Sequence, residues 1–141
     1  ADAIGQMSRL RLAQDMSAVT AACCLVRRSI YEQVGGMDEE ALKVAFNDID
    51  FCLKVRAAGY RNAWTPHAVL YHHESRTRGY EDTPAKRARF ESEVNVMRAR
   101  WPAAIAADPA YNRNLSLDDG DFAPAFPPRV DKPWRRSETR Q

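Results

Sequence analysis

The sequence predicts an α/β fold with few strands and about three helices. Three observations carry this. Short apolar runs of strand length alternate with polar, capped segments of helical spacing. Hydrophobic residues make up 45% and charged residues 28% of the 141 positions, as in an ordinary globular domain with one core. Glycine and proline fall between the runs, where turns are needed.

Each element follows from its residues. Positions 1–17 are polar with spaced apolar residues (Met7, Leu10, Leu12, Met16), which fits a loop or short helix. Ala18–Arg27 is a β-prone run around Val19, Thr20, Cys23, Leu25 and Val26, predicted as a buried strand. Ser29-x-x-Glu32 has capping-box spacing, so a helix is predicted to open there, with Ile30, Tyr31 and Val34 on its apolar side. Gly35 and Gly36 end it, since glycine accepts the left-handed C′ conformation. Asn47 can cap a second helix over Asp48–Ala58, with Phe46 and Phe51 placed as a hydrophobic staple and Gly59 as its stop. Tyr60–Thr65 and Ala68–His73 read as two strands split by Pro66, which cannot donate to a ladder. His67 reads as a turn residue. Ser75–Asp82 is a polar loop. Thr83-Pro84 opens a third helix with proline at its first position and a stripe of Phe90, Val94, Met97 and Trp101. Pro102 ends it.

Composition excludes several classes. Lys plus Arg is 21 and Asp plus Glu is 19, so the net charge is +2. That balance, with no massed basic helix, argues against a nucleic-acid partner. No apolar run approaches the roughly 18 residues of a membrane span. Cys23 and Cys24 are adjacent, Cys52 stands apart and no C-x-x-C occurs, so a cysteine zinc framework is not expected. Reduced thiols in a cytoplasmic protein are. The chain lacks an initiating Met and a signal-peptide pattern, so it is expected to begin at a processed end or inside a longer protein. Residues 118–141 carry Pro124, Pro127, Pro128 and Pro133 with few aliphatics, which predicts an irregular or disordered tail.

Four groups could carry chemistry. Asn47-Asp48-Ile49-Asp50 puts two carboxylates in the first turn of a helix, beside its positive dipole end. Such acids stabilise a helix start, and one can also serve as a general base within reach of a hydroxyl proton. His72-His73-Glu74 offers imidazoles that can bind a metal through a neutral nitrogen. Strand alternation sends His72 and His73 to opposite faces. Gly35-Gly36-Met37-Asp38-Glu39 is a helix stop whose bare backbone would let a substrate approach. Arg76 and Arg78, flanking Thr77, could hold phosphate oxygens.

Taken in order, these pieces form a recognisable series. A strand, Arg27-Arg28, a helix, Gly35-Gly36-x-Asp38-Glu39, the Asn47-Asp48-x-Asp50 helix and the His72 strand follow one another within residues 18–79. This resembles the C-terminal half of family 2 glycosyltransferases of the GT-A fold, and among them the bacterial rhamnosyltransferase-like members that build surface polysaccharides. Asp108–Leu117, DPAYNRNLSL, looks like the closing segment of such enzymes.

The resemblance implies inverting transfer of a sugar from a nucleotide-sugar donor to a saccharide or lipid-linked acceptor. It implies the C-terminal part of a GT-A fold over residues 18–117, after a lead-in at 1–17. Asp48 takes the role of general base; Asn47 stands where the family has a first acid. Gly35, Gly36, Asp38 and Asp50 would border the acceptor. His72, with His73 as second choice, would sit near a divalent metal, Mg²⁺ or Mn²⁺, and Arg76 and Arg78 near the diphosphate. A lipid-linked acceptor would bring the protein to the inner face of the cell membrane. The nucleotide half is missing: the Asp-x-Asp spacings, Asp48/Asp50 and Asp119/Asp121, follow no strand. The chain is therefore expected to be a piece of a larger enzyme, inactive alone, with an open sheet edge able to pair with a second copy. The competing expectation is a non-catalytic glycan- or partner-binding module of the same descent.

Overall fold

The computed structural model describes residues 4–72, 83–118 and 122–130. Two strands pair antiparallel: β1 (Gln14–Met16) and β2 (Asn62–Trp64). Gln14 faces Trp64, Asp15 faces Ala63 and Met16 faces Asn62. Four α-helices are α1 (Arg28–Gln33), α2 (Asn47–Ala57), α3 (Pro84–Arg100) and α4 (Pro102–Ala106). Two 3-10 segments, Gln6–Arg11 and Ala21–Cys23, complete the described elements. The molecule is mixed α/β, with one helix more than expected.

The core lies between the loop before α2, α2 itself and the C-terminal part of α3. Leu42, Leu53 and Met97 are buried together, with Phe46, Ile49, Val96, Trp101 and Ala104 packed around them. α2 is the central element: Asp50, Phe51, Cys52, Leu53 and Val55 are all buried. An apolar stripe wide enough to bury on more than one side explains this.

Several expectations hold at residue level. Gly35 and Gly36 follow α1 with φ of 77° and 60°, and Gly59 follows α2 with φ of 87°. Thr83 caps α3, its hydroxyl accepting from the Lys86 N–H at 3.3 Å, with Pro84 at the first helical position. His67 lies in a turn after β2, its N–H bonded to Thr65 Oγ1 at 3.3 Å.

Others are corrected. Ala18–Arg27 is not a buried strand. Thr20 caps the 3-10 turn at Ala21–Cys23, and Leu25 is 100% exposed. A strand needs a ladder partner, and β2 takes β1 instead, a polar segment whose pairing no local signal announces. Residues 68–72 likewise form no strand, and Val69, Leu70 and Tyr71 are exposed. The Ser29 capping box does not form. The cap position is Arg27, two residues earlier, and Glu32 accepts from Arg28 Nε at 2.8 Å. Asn47 is the first helical residue of α2, not its cap. The staple does not close: Phe46 packs on Phe90 with centroids 5.3 Å apart, and Phe51 on Tyr31 at 5.2 Å. Pro102 ends α3 as expected but also opens α4, where its missing N–H costs nothing. In the α3 stripe, Met97 is buried while Phe90 is exposed, and Glu93 occupies the buried line.

Residues 122–130 fold back on the preceding segment. Leu115 bridges Pro124, Ala125 N–H donates to Asn114 O at 2.7 Å, and Arg129 donates to Leu115 O at 2.9 Å.

Candidate functional site

Asp48 and Asp50 stand two residues apart, so a 3.6-residue turn rotates them about 200° around the α2 axis. They therefore serve opposite sides of the helix. Asp48 Oδ1 accepts from the Ile49 N–H at 2.9 Å and Oδ2 from the Ala21 N–H at 3.1 Å. The side chain is half-buried. A carboxylate has about four acceptor sites, so two remain for a further donor.

The same flank of α2 holds the segment before Ala21. Cys52 Sγ accepts from the Val19 N–H at 3.5 Å and donates to Val19 O at 3.6 Å. From the start of β2, the Asn62 amide donates to Ser17 O at 2.9 Å and to Cys52 O at 3.0 Å. Burial pushes the Cys52 thiol up, so it remains a neutral packing group. Ser17 also hydrogen-bonds Asp108.

Asp50 is fully buried, and an unpaired buried carboxylate would be costly. It is not unpaired. Oδ1 accepts from Trp101 Nε1 at 2.8 Å and Arg100 Nη1 at 2.9 Å, and Lys54 Nζ stands 3.3 Å from Oδ2. Burial pushes this carboxyl up, but the Trp101, Arg100 and Lys54 contacts outweigh it and hold it below the ordinary value of 3.8.

The other limb of Arg100 reaches the glycine loop. Its Nη2 donates to Asp38 Oδ2 at 2.9 Å. Asp38 Oδ1 accepts from the Ala41 N–H at 2.8 Å and the Glu40 N–H at 3.0 Å, closing an Asx turn. The Ala41 bond first, then Arg100, holds the Asp38 carboxyl below 3.8. Lys54 Nζ, already on Asp50, also donates to Gly36 O at 2.6 Å. Gly36, Asp38 and Asp50 are thus brought together by two cations, while Asp48 stands on the other flank.

The backbone between loop and helix is held as well. Buried Glu93 accepts from the Val44 N–H at 3.1 Å and the Ala45 N–H at 2.7 Å. Phe46, next in line, is left-handed with φ of 64°, a conformation an aromatic residue rarely takes.

The remaining predicted residues lie elsewhere. Gly35 is exposed after α1, and His72 is exposed at the end of a described stretch. His73, Arg76 and Arg78 lie outside the described residues. Cavities among the described residues include two with partly apolar walls. One of about 360 Å³ is walled by Cys24, Leu25, Arg27, Phe51 and Tyr60, and one of about 430 Å³ by Ile49, Leu53, Met97, Tyr111 and Phe122. Neither is lined by a predicted site residue.

Sequence reasoning missed Lys54, Glu93, Arg100 and the polar role of Trp101. Glu93 had a signal: a carboxylate four residues before Met97 on the buried line of a helix needs donors. Arg100 had none, because its partners are fifty and sixty-two residues away.

No family model matches the chain, and no solved structure matches it. Relatives among curated proteins do. Over 123 residues the chain is 59% identical to the uncharacterized protein y4gI of Sinorhizobium fredii, covering 87% of this chain and 14% of that protein. It is 32% identical over 106 residues to the O-antigen biosynthesis protein RfbC of Myxococcus xanthus, covering 74% of this chain and 8% of that protein. It is 34% identical over 61 residues to an N-acetylglucosaminyl-diphospho-decaprenol L-rhamnosyltransferase of Mycobacterium tuberculosis, covering 43% and 20%. The chain thus spans a seventh or less of the first two relatives. No described helix is long and apolar enough to cross a membrane. By sequence the chain is related to proteins named for O-antigen biosynthesis and rhamnosyl transfer.

Proposed function

We propose that the chain is the acceptor-side part, residues 18–117, of an inverting glycosyltransferase acting in surface polysaccharide synthesis. Asp48 is its general base. The observation that supports this most is Asp48 itself: a half-buried carboxylate in the first turn of α2, with two acceptor sites unused. The names of the relatives supply the substrate class.

The acceptor hydroxyl oxygen forms a bond to the anomeric carbon as the bond to the nucleotide diphosphate breaks on the opposite face. The hydroxyl proton passes to Asp48. A positioned base of this kind contributes about 10²–10⁴-fold. Gly35, Gly36 and Asp38 border the acceptor, and buried Asp50 holds that border rather than touching the substrate.

Arg76 and Arg78 are assigned to the diphosphate. A divalent metal, Mg²⁺ or Mn²⁺, belongs to this reading, with His72 or His73 near it. Among the described residues no three His, Cys, Asp or Glu side chains converge, so those residues alone do not make up a metal site. A lipid-linked acceptor would place the work at the inner face of the cell membrane.

The test uses the longer protein of which this chain is a part. It is incubated with nucleotide-activated L-rhamnose, Mg²⁺ or Mn²⁺ and an N-acetylglucosaminyl diphosphate polyprenol, and nucleotide diphosphate release is followed. Release requires acceptor, and Asp48→Asn lowers it about 10²–10⁴-fold with donor binding retained. Equal release in wild type and variant moves the base elsewhere. Asn47 in place of a first acid favours one other reading, a non-catalytic binding module. Donor binding without release from any nucleotide sugar would establish that one.

A further inference from the structure

We infer that Arg100 is a positioning residue: a latch that fixes the Gly36–Ala41 loop against α2 and so sets the shape of the acceptor border. This rests on the acceptor-side reading above. The geometry is a single guanidinium spanning two elements. Nη1 donates to Asp50 on α2 and Nη2 to Asp38 on the loop, each at 2.9 Å. The Asp50 end is buried and rigid, flanked by Trp101 Nε1 and Lys54 Nζ. The Asp38 end is the movable one, because outside its own Asx turn Asp38 takes its side-chain contact from Arg100. Lys54 adds a second tie from α2 to the same loop through Gly36 O at 2.6 Å.

The chemistry requires arginine. A planar fork with separate N–H groups can serve two carboxylates at once, whereas a lysine ammonium is a compact charge that would settle on one. Buried Asp50 binds the cation more strongly than half-exposed Asp38 does, so Arg100→Lys keeps the Asp50 ion pair and gives up the loop. Asp38→Asn cuts the loop limb from the other side and leaves the buried pair intact.

Hydrogen exchange on the 141-residue chain reads the latch directly. Peptides over 36–41 exchange about tenfold faster in both Arg100→Lys and Asp38→Asn, while peptides over 47–57 keep wild-type protection. If Arg100→Lys loses protection everywhere, it has unfolded, and Asp38→Asn decides. Unchanged exchange over 36–41 in Asp38→Asn overturns the latch. In the longer protein, with the rhamnose donor and diphosphate polyprenol acceptor named above, Asp38→Asn raises the acceptor KM at least about fivefold and leaves the donor KM unchanged. A loosened loop with unchanged acceptor KM makes Arg100 a stability residue and overturns the positioning role. If the longer protein transfers no sugar, the functional reading falls, and exchange alone decides whether the latch exists.

Discussion

Asp48 and Asp50 are the same residue type two positions apart on one helix, and their surroundings differ. Asp50 faces inward to Arg100, Trp101 and Lys54, so its charge is committed to holding elements together. Asp48 bonds two backbone N–H groups and keeps acceptor capacity. Asp38 and Asp50 also make stability depend on pH. Both carboxyls sit below 3.8 in the folded state, so the unfolded chain binds protons first as pH falls. Their stabilisation is complete above the unfolded value and is lost as pH drops through the lower folded values. The melting temperature should therefore fall from about pH 4 downward, and Asp38→Asn should flatten that fall. Parallel melting curves for wild type and variant across the acid range would contradict the assignment.

At the scale of elements, the turn after α1 decides where the loop begins. Gly35 and Gly36 are both left-handed, but their surroundings differ. A Cβ on Gly35 would meet nothing within 4 Å, whereas one on Gly36 would lie 2.8 Å from the Tyr31 ring. Tyr31 packs on Phe51, and its hydroxyl accepts from the Met37 N–H at 3.3 Å, so the ring cannot simply swing away. Gly35→Ala should cost about 1 kcal/mol, from backbone conformation alone. Gly36→Ala should cost about 1–2 kcal/mol more, from overpacking. Urea denaturation of the two variants checks this, and equal costs would refute it. The entry to α2 is held differently: Glu93 satisfies two backbone donors from another helix and keeps Phe46 in its left-handed position.

At the scale of the whole molecule, the core is small for the chain. Leu42, Leu53 and Met97 form its buried centre, while Leu25, Val69, Leu70 and Tyr71 stand in solvent, Leu25 fully and Tyr71 at 84%. Two segments with strand composition and no ladder partner among the described residues lead us to predict a surface on which chains associate. The isolated chain should self-associate in sedimentation velocity at micromolar concentration. Leu25→Ser combined with Leu70→Ser should shift it toward monomer. A concentration-independent monomer in both would show that these segments do not drive association.

Local chemistry made much of this legible in the sequence. The stops at Gly35-Gly36 and Gly59, the Thr83-Pro84 start and the α2 pattern depend on residues within one turn of each other, and they stand in the structure. The ordered motifs named Asp38, Asp48 and Asp50 as candidates; the structure joins Asp38 and Asp50 through Arg100 and sets Asp48 on the other flank of α2. Pairing and burial are different, because both depend on what the rest of the chain brings. Ala18–Arg27 has strand composition, yet Ala21 N–H is claimed by Asp48, and β2 pairs with polar Gln14–Met16. Asp50 could be read as facing an acceptor until Arg100 and Trp101 arrived on its carboxylate from fifty residues away. A carboxylate's type and spacing are written in the sequence, but its partners come from distant elements through packing, so only the tertiary structure decided that Asp50 is the buried tie and that Asp48 stays half-buried with two backbone donors.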